Sequence, residues 1–147
     1  MLHKQGIANV EDWRRNNVDR FVERLYSEIK REKRRVKFGI SPFGIWRNNT
    51  SSSLGSATAG LESYSALYAD TRAWVRFQWL DYIAPQLYWH QGNPPANYNV
   101  LVDWWARQVA GTRVKLYTGE AAYKVGDPAT AAWRDPNELR DHLTKCR

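Results

Sequence analysis

Residues 67–90, LYADTRAWVRFQWLDYIAPQLYWH, decide the fold. Asp70 is a residue type that caps helix starts, and Thr71, Trp74, Val75 and Gln78 follow it on a helical pattern. Leu80 to Leu87 (LDYIAPQL) then reads as a buried strand, with Tyr88 and Trp89 standing at its end. A helix that feeds a strand is half of a repeating α/β unit, so the fold turns on whether the same order recurs on either side.

It recurs on both. Upstream, Asn17 is placed to cap a helix whose apolar residues Val18, Phe21, Val22, Leu25 and Ile29 form one stripe. That helix runs out in KREKRRVK (30–37), six basic residues in eight positions, read either as a solvated helix end that complements the dipole or as the basic part of a nucleic-acid-binding module. Val36 to Ile40 (VKFGI) is a strand closed by Ser41-Pro42-Phe43-Gly44, where Pro42 ends regular pairing. The Ser, Thr, Asn, Ala and Gly composition of residues 48–60 reads as a mobile excursion, either a surface loop or a flap over a site. Downstream, Asn93-Pro94-Pro95 is a turn. Tyr98 to Val109 is a helix stopped by Gly111, and Val114 to Thr118 (VKLYT) is a strand ending at Gly119-Glu120. Asp135-Pro136-Asn137-Glu138 predicts a last helix with Asp135 as its cap and Glu138 as the acid of a capping box.

Strands starting near residues 36, 80 and 113 leave intervals of 44 and 33 residues, each holding a helix, which is enough for right-handed parallel crossovers. The fold class is therefore α/β with parallel strands and flanking helices. A complete (β/α)8 barrel needs about 250 residues, so 147 residues supply about half of one.

Composition narrows the function classes. With 43% hydrophobic and 25% charged residues the chain is an ordinary globular one, with no apolar run near the roughly 20 residues of a transmembrane helix and no signal-peptide layout at its start. Cys146 is the one cysteine, and His3, His90 and His142 lie far apart, so neither a metal site nor a disulfide is expected, and no cofactor motif is present. Basic residues number 22 against 15 acidic ones, and the aromatics are 8 Trp, 8 Tyr and 4 Phe. Positive charge with aromatic rings suits nucleic acid or a sugar cleft. The rings fall at strand ends and on helices, not interleaved with Lys and Arg along a strand, so a nucleic-acid partner is not expected.

The blocks VKFGISPFGIWRN (36–48), LYADTRAWVRFQWLDYIAPQLYWH (67–90), VDWWARQVAGTRVKLYTGEAAYKVG (102–126) and WRDPNEL (133–139) resemble, in order, those of the glycosyl hydrolase-like 10 family. PQLYW at a strand end beside DWWA carries most of that likeness. The resemblance implies a partial (β/α)8 TIM barrel over residues 1–147, about units five to seven, with strands at 36–40, 80–87 and 113–118. It also implies that the first four strands, with an acidic Asp-Asp-Tyr block, would precede Met1 and the eighth would follow Arg147. By the same resemblance the protein is a bacterial one of the cell envelope or secreted, and its substrate is cell-wall polysaccharide, peptidoglycan glycan strands above all. As a fragment it is expected to be weak or inactive, and its unpaired strand edges invite self-association.

Barrel chemistry sits at the carboxyl ends of the strands. There the sequence places Trp46, Arg47 and Asn48 after the first strand, Gln86, Tyr88 and Trp89 after the second, and Tyr123 and Lys124 after the third. Rings offer stacking area to pyranose faces, and Gln, Asn and Arg make paired hydrogen bonds to vicinal hydroxyls. Trp46 and Trp89 read equally as core residues; Trp74, Trp79, Trp104 and Trp105, on or beside helices, read as packing. Glycoside hydrolysis takes two carboxyl groups, and the candidates are Glu120 and Asp70. Asp70 doubles as a helix cap, and Glu120 either enters a cleft or pairs with Arg47 or Lys124. Asp81, at the opposite rim, reads as structural.

Overall fold

A computed structural model describes residues 6–147, so His3 lies outside the described residues. The elements are α1 (Val10–Glu32), β1 (Gly39–Ile40), α2 (Ser63–Ala66), α3 (Thr71–Arg76), β2 (Tyr82–Ile83), α4 (Tyr98–Val109), β3 (Lys115–Leu116), a short 3-10 turn (Ala122–Lys124), α5 (Ala131–Arg134) and α6 (Glu138–Lys145).

The three strands form one parallel sheet in the order β1-β2-β3, with Gly39, Tyr82 and Lys115 in one register and Ile40, Ile83 and Leu116 in the next. Pairing resumes three residues on, where Phe43, Gln86 and Gly119 form a second row. The ladders are shorter than the sequence suggests because Pro42 and Pro85 have no N–H to give. Their carbonyls still serve, accepting from Gln86 N at 2.9 Å and Gly119 N at 2.9 Å.

Ile40, Ile83 and Leu116 face the helices, meeting Trp74 and Val75 of α3 and Leu101, Trp104 and Trp105 of α4 in one apolar cluster. Buried indoles need a partner for their N–H. Trp105 Nε1 donates to Gly44 O at 2.8 Å, Trp104 Nε1 to Leu54 O at 3.0 Å and Trp74 Nε1 to Asp19 Oδ1 at 2.6 Å, so each of these rings also ties an element to the core. Gly111, at φ +74, adopts the left-handed conformation that a glycine provides after a helix.

Four expectations need correction. The first helix begins at Val10, and its cap is Asn9, which accepts from Glu11 N and Asp12 N at 2.7 and 3.1 Å; Asn17 lies inside the helix. Its apolar stripe is narrower than predicted: Val22 is buried but Phe21 is 65% exposed. Arg15 is buried on that face instead, with its guanidinium 4.1 Å over the ring of Tyr64. Residues 48–60 form a bonded loop and not a loose excursion. Asn48 N donates to Glu62 Oε1 at 2.9 Å, Asn48 Nδ2 to Gly60 O at 2.8 Å, and Thr58 Oγ1 to Asn48 Oδ1 at 2.8 Å. Finally, the last helix starts at Glu138, while Asp135 Oδ1 closes a turn by accepting Asn137 N at 2.8 Å.

Candidate functional site

The row Phe43, Gln86, Gly119 marks the carboxyl ends of the three strands and sets the floor of the site. Gly44 allows the first strand end to close on the second, because a Cβ there would stand 2.5 Å from the Gln86 carbonyl oxygen and 2.9 Å from the Trp89 ring. Gln86 Nε2 donates to Ser41 O at 3.1 Å, which fixes the amide across β1 and β2. The Trp89 ring meets Phe43 edge-on at 5.5 Å and 89°. Tyr88 meets Tyr123 at 6.2 Å and 90°, and Lys124 Nζ donates to Tyr88 O at 2.8 Å, so the segment after β3 is stitched to the end of β2. Tyr123 is 76% exposed, and Gln86, Tyr88, Trp89 and Lys124 are half-buried. Tyr88, Tyr123 and Lys124 thus meet in one surface beyond the Gln86 row, while Trp89, the fifth expected contact residue at these strand ends, packs with Phe43 against the core.

The others are used elsewhere. Trp46 is 5% exposed, stacked on Trp104 at 6.0 Å and donating to Asp70 Oδ1 at 2.9 Å, so it presents no ring face to a sugar. The Asn48 amide is saturated within its own loop: its Oδ1 accepts from Thr58 and Gly60, and its Nδ2 donates to Gly60 O and Glu62. Arg47 Nη2 donates to Ser51 O at 2.6 Å, and its guanidinium lies 4.9 Å over Tyr64. Glu62, bonded by Ser51 Oγ, Ser65 Oγ and Asn48 N, is the hub of this loop. Burial pushes its carboxyl up, but those donors and Arg47 outweigh the burial and hold it below the ordinary carboxylate range.

The two candidate acids differ. Asp70 caps α3, its Oδ1 accepting Ala73 N at 3.1 Å as well as the Trp46 indole, so this carboxylate is occupied structurally. Glu120 follows the floor row but turns toward the helices. Its Oε1 accepts from Tyr98 O–H at 2.6 Å and its Oε2 faces His142 Nδ1 at 2.8 Å. The expected rival partners, Arg47 and Lys124, are not its neighbours in these bonds. Burial raises the Glu120 carboxyl, and the bonds from His142, Tyr98 and Thr118 with the charge of His142 more than reverse that, keeping it ionised below the usual range. Tyr98 is raised, first by burial and then by its bonds to Cys146 and Glu120.

His142 is the residue that sequence reasoning missed. Its ring is fully buried, stacked on Tyr98 at 3.5 Å and 7°, with Nδ1 on Glu120 and Nε2 on Glu138 Oε1 at 3.0 Å. Glu138, expected to close a capping box, instead joins His142 to the backbone N–H of Gln91 at 2.5 Å, clipping α6 to the loop after β2. The i, i+4 spacing of Glu138 and His142 on one helix face was the available signal. Chemically, the strand ends offer one exposed ring, Tyr123, with the half-buried Tyr88, an amide and a lysine, while the Glu120 carboxylate is held on the helix side by Tyr98 and His142. Among the described residues no helix is long and apolar enough to cross a membrane, and no three His, Cys, Asp or Glu side chains gather to hold a metal.

Comparison with known proteins gives a consistent picture. The glycosyl hydrolase-like 10 family matches residues 2–135. The chain is 47% identical over 142 residues to glycosyl hydrolase YngK of Bacillus subtilis (strain 168), covering 96% of this chain and 28% of that protein. It is 49% identical over 124 residues to glycosyl hydrolase DigH of Escherichia coli (strain K12), covering 84% of this chain and again 28% of the relative. The DigH of Shigella flexneri gives the same identity and coverage. The chain therefore spans little more than a quarter of the length of these curated relatives.

Proposed function

Because this chain belongs to the glycosyl hydrolase-like 10 family, we propose that the shelf at its strand ends binds glycan chains of bacterial cell-wall polysaccharide, with peptidoglycan strands as the favoured substrate. In this reading the three βα units are units five to seven of a (β/α)8 barrel. The protein works in the cell envelope or outside the cell. The observation that supports the proposal is the junction of two strand ends, where Tyr88 meets Tyr123 and Lys124 Nζ donates to Tyr88 O beyond the Gln86 row; Gln86 and Trp89 complete the proposed shelf. The exposed Tyr123 ring, braced edge-on by Tyr88, supplies stacking area, and the amide and ammonium supply directional bonds to hydroxyls.

Hydrolysis of a glycosidic bond takes a proton donor and a second carboxylate. Glu120 is ionised and braced, a state suited to a nucleophile or a base and not to an acid. Asp70 is committed to a helix cap and an indole. The 147 residues alone thus bind glycan and cleave it weakly or not at all. Self-association through the unpaired edges of β1 and β3 is part of the same proposal. The test is sedimentation of the chain with purified peptidoglycan sacculi, with muropeptide release measured in parallel for the parent and Glu120→Gln. Retention on sacculi that is lost in Tyr123→Ala with Trp89→Ala supports the reading; retention unchanged by that pair of substitutions, or no retention, overturns it. Size-exclusion chromatography reads the association state, and a strictly monomeric chain would remove the edge-pairing part.

A further inference from the structure

The parallel sheet sorts the connections into two ends. The loops that leave the strands, residues 41–70, 84–97 and 117–137, hold five acidic and three basic residues. The segments that enter the strands, residues 33–38, 76–81 and 107–115, hold eight basic residues and one acid; Glu28 and Glu32, at the end of α1 beside them, are paired with Arg31, so the end opposite the shelf keeps a positive excess. That one acid is already engaged: Asp81 Oδ2 accepts from Lys30 Nζ at 2.5 Å and from Phe38 N at 2.8 Å. The entering segments also touch one another, with Arg113 N donating to Gln78 Oε1 at 3.3 Å.

Lys33, Arg34 and Arg35 are exposed and make no ion pair among the described residues. Beside them Lys37, Arg113 and Lys115 line a hollow of about 270 Å3 together with Asp81, Tyr82 and Tyr117. Apolar groups stand in the same surface. Phe77 is 66% exposed although it stacks on Trp79 at 5.0 Å and 23°, and Val36, between Arg35 and Lys37, is 45% exposed. Cations mixed with an exposed aromatic ring match a lipid headgroup layer, where phosphates meet the cations and the ring enters the boundary with the acyl chains.

We propose that the amino-end face of the sheet, carrying Arg34, Arg35, Lys37, Phe77 and Arg113, docks on an anionic bilayer surface. Docking there turns the strand-end shelf away from the lipid and toward the aqueous glycan layer. The docking itself does not depend on the glycan reading, so the two fail separately. A nucleic acid would use the same cations and would stack a base on Phe77, but it has no use for Val36, an aliphatic side chain exposed between Arg35 and Lys37, which is why the lipid surface is favoured.

The experiment is co-sedimentation of the chain with vesicles of phosphatidylcholine containing a minority of phosphatidylglycerol, against pure phosphatidylcholine vesicles and a DNA duplex of equal phosphate concentration. The anionic vesicles are expected to bind the protein and the neutral ones not. Arg34→Gln with Arg35→Gln is expected to weaken partitioning about 30-fold at low salt. Phe77→Ser is expected to weaken it about tenfold in high salt as well, since ring insertion is not screened. The exposed positions of all three residues leave the fold intact, which circular dichroism checks. Absence of partitioning to anionic vesicles, partitioning unchanged by the paired arginine substitution, or DNA binding stronger than vesicle binding with Phe77→Ser silent would each overturn the proposal.

Discussion

Replacing His142 by Ala tests how Glu120 is held. In the native chain the ring is buried between two carboxylates whose side chains are themselves only 16% and 12% exposed. Removing it takes the partner from both acids in a poorly solvated place, where breaking a buried charge pair costs about 3–5 kcal/mol. A small domain has about 5–15 kcal/mol in total, so the loss is large but measurable in most cases. Urea unfolding followed by tryptophan fluorescence reads it directly, with Trp133 edge-on to the His142 ring at 5.8 Å as a local reporter. The decisive comparison repeats His142→Ala in a Glu120→Gln, Glu138→Gln background, where no charge is left stranded. If charge pairing matters, the substitution costs at least about 2 kcal/mol less there, the coupling expected of groups in direct contact. An equal cost in both backgrounds would refute the reasoning and reduce His142 to a packed ring.

Asp19 gives a prediction in pH. Burial raises its carboxyl from 3.8 to about 6, opposed by the Trp74 N–H and assisted by Asp70. A carboxyl raised on folding favours the native state fully below its unfolded value and loses that contribution as pH rises through the folded value. Asp19→Asn, which keeps an acceptor for Trp74, is therefore expected to match the parent near pH 4 and to exceed its stability at pH 7 by about 1–2 kcal/mol, the shift being discounted for solvent screening of a half-buried carboxyl; a flat difference across that range would contradict it. Gly44→Ala should cost about 1–3 kcal/mol and displace Trp89, since the new Cβ meets a backbone oxygen at 2.5 Å; an unaltered indole signal for Trp89 in NMR spectra would count against this. Asn48→Ala removes the amide bonds to Thr58, Gly60 and Glu62 that close the 48–60 loop and is expected to raise proteolytic nicking near Leu54, which mass spectrometry of a limited digest would detect.

Order and direction of the three units were legible because helix and strand periods alternate at intervals long enough for parallel crossovers, and the paired rows at Ile83 and Gln86 bear this out. The start of α1 was not, because Asn9 and Asn17 are equally good caps in isolation and only Asn9 has Glu11 and Asp12 behind it. The shelf was half legible. Chain position locates Gln86, Tyr88, Trp89, Tyr123 and Lys124 at strand ends, but it does not say which rings turn inward, and Trp46 is taken by Trp104, brought beside it from 58 residues later. Glu120 was found by its place after β3, while its partners His142 and Tyr98 came from helices that a local reading treats as scaffolding. The loop at 48–60 was misjudged because its small polar residues, loose by composition, bond to one another once folded.

The most direct test of the central claim is a two-dimensional NMR titration of the labelled chain with soluble peptidoglycan glycan fragments. Resonances of Gln86, the Trp89 indole, Tyr88 and Tyr123 are expected to shift together and saturate at one affinity, with Trp79 and the residues of the 33–37 segment unmoved. Shifts confined to the amino-end face, or none at saturating glycan, would contradict the account.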